Sequence, residues 1–111
     1  MNYNNKTFRP IRNTENGETS VETIFHYKQN GNLLTCEYSG GKILKGHLIG
    51  LVDEAGNINM RYHQMNEKGV LMTGICLSKP EVLENGKILL RESWQWTSGD
   101  GSKGESVLEE F

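Results

Sequence analysis

Apolar and polar residues alternate with a period of two along much of the chain. Val21, Thr23, Phe25 and Tyr27 fall on one side of an extended segment and Glu22, His26 and Lys28 on the other, with Ile24 the exception. Nowhere does an apolar i, i+3, i+4, i+7 pattern last three turns, so no helix is expected. Turn signals punctuate the alternation at Asn16-Gly17, Asn30-Gly31, Gly40-Gly41, Asp53 to Asn57, Asn66 to Gly69, Asn85-Gly86 and Gly99 to Gly104. Each offers residues that accept the positive φ of a hairpin turn. Eight strands fit between them, at approximately residues 3–12, 18–28, 32–38, 42–52, 57–65, 70–79, 87–97 and 104–111.

The alternation defines one inward face. It carries Phe25, Tyr27, Leu34, Cys36, Tyr38, Leu44, Leu48, Val52, Ile58, Met60, Tyr62 and Gln64, continued by Ile88, Leu90, Glu92, Trp94 and Trp96. The connections are too short for parallel crossovers, so consecutive strands pair antiparallel. A meander of this length removes its unpaired edges by closing on itself. The expected fold is therefore all-β, an antiparallel up-and-down meander of about eight strands closed into a small barrel. Eight strands enclose space for side chains or one small ligand, the calycin-like arrangement of streptavidin-like and lipocalin-like barrels. A two-sheet β-sandwich is the alternative, because Pro80 interrupts the stretch between the sixth and seventh strands.

Composition narrows the function without naming it. The 111 residues fit one domain, and 35% hydrophobic with 23% charged residues is ordinary for a globular chain. A net charge of −2 provides no field for nucleic acid or anionic lipid, so neither is an expected partner. The segment Met1 to Phe8 has neither the apolar stretch of a signal peptide nor the length of a membrane span, which points to the cytoplasm. Cys36 and Cys76 lie in separate strands without a C-x-x-C or Cys/His spacing and read as small buried hydrophobes. No cofactor is expected. His26, His47 and His63 point outward from strands read as non-neighbours and do not assemble a metal site.

Candidate chemistry concentrates in Leu89 to Thr97. Glu92, Trp94 and Trp96 share one face there, opposite Arg91, Ser93 and Gln95. If that face is interior, Glu92 is a buried carboxylate that requires a donor, a cation or a raised pKa. Tyr27, Tyr38, Tyr62 and Gln64 are its candidate partners. Aromatic walls with a few convergent polar groups describe a pocket for a small, partly apolar ligand, and the same side chains could instead fill the barrel. Catalysis by Glu92 as a general acid or base is the second reading, with no recognisable catalytic motif beside it. A structural or self-association module is the third. For that reading Ile43, Ile49 and Leu51 are expected on the outer face of the fourth strand, where a homodimer contact competes with cover by a nearby loop or terminus. Gly99 to Gly104 spells G-x-G-x-x-G, but seven residues follow it, too few for the helix a dinucleotide site needs.

The segments Phe25-His26-Tyr27, Glu37 to Gly41, Gly46 to Asp53, Met60-Arg61-Tyr62 and Glu92 to Thr97 with Gly99 to Gly101 carry a family resemblance over nearly the whole chain. Through them the chain resembles a family of short bacterial proteins commonly labelled N-acetylglutamate synthase. The resemblance implies acetyl transfer to glutamate, and no active-site residue is carried over from it. The common acetyltransferase loop, Gln/Arg-x-x-Gly-x-Gly/Ala at a helix N-terminus, has Trp96 in place of its first residue here, before Gly99 and Gly101.

Overall fold

A computed structural model describes residues 1–111. Eight strands follow one another: β1 (Thr7–Asn13), β2 (Ile24–Asn30), β3 (Leu33–Gly40), β4 (Ile43–Val52), β5 (Ile58–Asn66), β6 (Leu71–Val82), β7 (Ile88–Trp96) and β8 (Lys103–Glu110). Each pairs antiparallel with the next, and β8 returns to β1 with Pro10 opposite Leu108, so the sheet closes into a barrel in sequence order. The sandwich alternative is thereby excluded. Pro80 does not end its strand: β6 runs through it, with Pro80 opposite Leu90 on β7.

The turn chemistry explains the joints. At the β7–β8 hairpin, Gly99 and Gly101 take φ of 62° and 67°, and the Trp96 N–H donates to the Ser102 carbonyl at 3.0 Å. The G-x-G-x-x-G run is this hairpin, and a strand rather than a helix follows it.

Three expectations are corrected. The second strand was expected from residue 18, but β2 starts at Ile24, and residues 14–23 form a long loop that packs over one end of the barrel. The phase of the fourth strand reverses at its start. Ile43, expected outside, is 2% exposed, while Leu44, expected inside, is 57% exposed. A register irregularity between Ile43 and Lys45 is the cause, since one extra residue moves the preceding side chain to the opposite face. The third correction concerns the histidines. His47 and His63 stand directly opposite on neighbouring strands β4 and β5, with ring centroids 5.5 Å apart. No group of three or more such side chains converges on them.

The interior is aromatic, and glycines on alternate strands make room for it. Tyr38 on β3 lies opposite Gly46 on β4, Tyr62 on β5 opposite Gly74 on β6, and Trp94 on β7 opposite Gly104 on β8. A Cβ added to any of these glycines would overlap the facing ring. The rings can therefore lie over bare backbone, an arrangement that also shields a strand glycine from solvent.

Candidate ligand-binding site

The two ends of the barrel are finished differently. At one end Tyr3 plugs the interior from the N-terminal segment. It is fully buried, packs near Phe8 and Tyr27 with ring centroids 6.3 and 6.1 Å away, and donates its hydroxyl to the Gly56 carbonyl at 2.5 Å. Toward the other end the packing leaves a cavity of about 50 Å³. All of Tyr27, Tyr38, Tyr62, Gln64, Glu92, Trp94 and Trp96 line it, together with Asn13, Glu18, Thr19 and Ser106. A volume of that size holds about four waters or a head group of a few atoms.

Glu92 occupies the polar centre of this space. It sits on β7 with Ser78 opposite on β6 and Ser106 opposite on β8, so the ladders on both sides deliver a hydroxyl to it. Ser78 Oγ donates to Oε2 at 2.5 Å and Ser106 Oγ to Oε1 at 3.2 Å. No ion pair involves Glu92. Burial raises the carboxyl pKa, the two serine hydrogen bonds offset part of that rise, and the result is about 7. Burial likewise pushes up the hydroxyls of Tyr27, Tyr38 and Tyr62 and the thiols of Cys36 and Cys76, with the charge on Glu92 adding to each shift. These five groups are neutral around pH 7.

Polar bonding in the cavity is incomplete. Tyr38 donates its hydroxyl to Gln64 Oε1 at 2.8 Å and stacks on Phe25 with centroids 4.6 Å apart. The Tyr27 hydroxyl, by contrast, is buried and has no partner; Asn13 Oδ1 has none either. Buried polar atoms are nearly always paired, so two unpaired atoms lining one cavity mark a place where something else completes the bonding. Tyr62, Trp94 and Trp96 form an aromatic wall, with Tyr62–Trp96 centroids 5.7 Å apart and Trp94–Trp96 centroids 5.5 Å apart.

The 14–23 loop lies over this end and is tied down by side chains. Gln64 Nε2 and Asn66 Nδ2 donate to the two carboxylate oxygens of Glu18, at 2.9 and 2.7 Å. Trp96 Nε1 donates to the Asn16 carbonyl at 3.1 Å, and Asn13 Nδ2 to the Thr19 carbonyl and hydroxyl at 3.0 and 2.9 Å. A family model described as avidin-like protein matches residues 1–111. The chain belongs to the avidin-like family. No curated protein and no solved structure matches it. For an avidin-like barrel the label N-acetylglutamate synthase is not borne out, since the family that matches the full length is a different one.

Sequence reasoning placed seven residues that share this cavity and missed the groups that complete it. Glu18 and Thr19 belong to a segment read as regular strand and Asn13 to the turn before it, and the contacts of Glu18 to β5 span 46 and 48 residues. Ser78 and Ser106 follow from register alone. On the outer wall of the avidin-like barrel, Ile49 and Leu51 are 50% and 55% exposed, whereas Ile43 is inside and cannot contribute to an outer contact.

Proposed function

We propose that this avidin-like barrel binds a small, partly apolar ligand in the cavity under the 14–23 loop, with Tyr27, Tyr38, Tyr62, Gln64, Glu92, Trp94 and Trp96 around it. The observation that carries the reading is the unpartnered Tyr27 hydroxyl, 1% exposed, lining the same space as the aromatic wall. A barrel packed only for stability has no reason to leave that hydroxyl unpaired, because an unsatisfied buried polar group costs about 1–3 kcal/mol. Aromatic surface supplies affinity and the few polar groups fix orientation. A fragment screen followed by NMR tests this. Hits that shift the Trp94 and Trp96 indole resonances support the reading, and hits confined to the outer wall contradict it.

Glu92 favours a second reading as a general acid or base, because a carboxyl with a pKa of about 7 exchanges protons readily at neutral pH. Turnover of a bound fragment that is lost in Glu92→Gln is the result that would establish it. Self-association is a third element of the proposal. Leu33 faces Leu51 across the β3–β4 ladder, and the outward row continues through Asn59 to Leu77; the three leucines are exposed. With Ile49 beside them they form an apolar strip of the kind that pairs with a second copy.

A further inference from the structure

We infer that the ligand's inner end is a small cationic nitrogen group, an ammonium or guanidinium-type head, held between Glu92 and the Tyr62–Trp94–Trp96 wall. The inference rests on the ligand-binding reading above and specifies the chemistry of that same site.

The balance of charge comes first. Two carboxylates, Glu92 and Glu18, line the cavity, and no lysine, arginine or histidine does. An anionic head would meet two like charges and no counter-charge. Neither carboxylate has a charged partner within the chain, and of the two Glu92 is the one set among the aromatic rings, where a cation meets it directly.

Hydrogen bonding points the same way. The hydroxyls of Ser78 and Ser106 are engaged on Glu92 and that of Tyr38 on Gln64, while the Tyr27 hydroxyl is unpaired. Open acceptors gather around Glu92: the remaining lone pairs of its carboxylate, Asn13 Oδ1 and the oxygen of the Tyr27 hydroxyl. A head group rich in N–H donors satisfies these acceptors. The hydroxyl rotor of Tyr27 can present its lone pairs, and its own hydrogen suits a water or an acceptor carried beside the nitrogen.

The walls complete the match. Aromatic faces attract a cation within about 6 Å, more strongly when water is excluded. Tyr62, Trp94 and Trp96 are gathered within 5.7 Å of one another, centroid to centroid along the chain of contacts. The titratable groups facing Glu92 are Tyr27 on β2, Cys36 and Tyr38 on β3, Tyr62 on β5 and Cys76 on β6, all neutral around pH 7, so Glu92 alone among them changes charge in that range. Glu18 is the other carboxylate and is held by Gln64 and Asn66 at the loop.

Three probes of similar size separate the outcomes: methylguanidinium, N-methylurea and acetate, each titrated into the full chain while the Trp94 and Trp96 indole resonances are followed by NMR. Methylguanidinium should shift both indoles, with affinity rising about tenfold between about pH 6 and pH 8 as Glu92 ionises. Glu92→Gln should remove that pH dependence and weaken binding by about tenfold. N-methylurea should bind less tightly and with no pH trend. Tighter binding of N-methylurea or acetate at the same indoles overturns the cationic head while leaving the ligand site standing. If none of the three perturbs either indole, both readings fail. The pH profile of the unaltered chain decides the matter even if Glu92→Gln does not fold.

Discussion

The ring of Tyr62 occupies the space that a side chain on Gly74 would fill, directly across the β5–β6 ladder. Gly74 also lies opposite Trp96 on its other side, so one glycine borders two members of the aromatic wall. The same pairing of ring and glycine recurs at Tyr38 with Gly46 and at Trp94 with Gly104. The shape of the cavity is therefore set as much by where the chain has no side chain as by where it has large ones.

Gly74→Ala tests this relationship. The added methyl must displace Tyr62, and overpacking of this kind costs about 1–3 kcal/mol. Urea denaturation should show that loss, accompanied by a changed near-UV circular dichroism signal from the displaced rings. Ser93→Ala on the exposed face of β7 should stay within about 0.5 kcal/mol of the parent. Equal stability of the two variants would show that the ring over Gly74 is not closely fitted.

The pH dependence of folding follows from Glu92. Its folded pKa, about 7, lies above the ordinary value of 4.5, so between those values the folded state binds more protons than the unfolded state. Stability from this group accordingly falls as pH rises from about 4.5 to 7 and levels off above, a loss of roughly 3 kcal/mol at full extent. Glu92→Gln has no such proton to lose. Urea midpoints across this range should decline with pH for the parent more steeply than for the variant; parallel profiles would show that the carboxyl is not raised.

The barrel itself was legible because its signals are local. Turn residues such as Asn30-Gly31 and the alternation through Phe25, Tyr27, Trp94 and Trp96 need only short stretches of chain. Ile43 and Leu44 were assigned to the wrong faces because a bulge reverses phase without a distinctive local residue pattern. Val21, Glu22 and Thr23 continue the alternation but belong to the loop, where Thr23 is buried through its hydroxyl bond to the Gly40 carbonyl at 3.1 Å. Gly46 and Gly74 were visible as glycines within strands, the available signal for a close approach of another group. Glu18 had no comparable signal, since its partners Gln64 and Asn66 come from the far side of the barrel sequence.

Glu18→Ala should loosen the 14–23 loop without unfolding the barrel. The substitution removes the acceptor for Gln64 and Asn66, and the loop holds the carbonyl that Trp96 bonds. Hydrogen exchange in the loop and acrylamide quenching of tryptophan should both increase, with a global loss of about 1–3 kcal/mol from the unsatisfied amides. Unchanged quenching would mean that Glu18 does not hold the loop closed.

Ile49→Lys places a charge in the exposed apolar strip of β4. Sedimentation should show the parent chain associating at high concentration and the variant shifted toward monomer. A parent that is monomeric at every concentration contradicts association through this wall.

Whether the cavity beside Glu92 receives a ligand is tested most directly by Tyr27→Phe, through the atom that has no partner within the chain. Isothermal titration of a fragment shown to shift the Trp94 and Trp96 indoles, into the parent and into Tyr27→Phe, compares the two directly. If the hydroxyl bonds the ligand, the variant should bind about five- to tenfold more weakly while folding at least as stably, because it no longer buries an unpaired hydroxyl. Equal affinity in the two proteins, with the indole shifts retained, would contradict the assignment of that hydroxyl to the ligand.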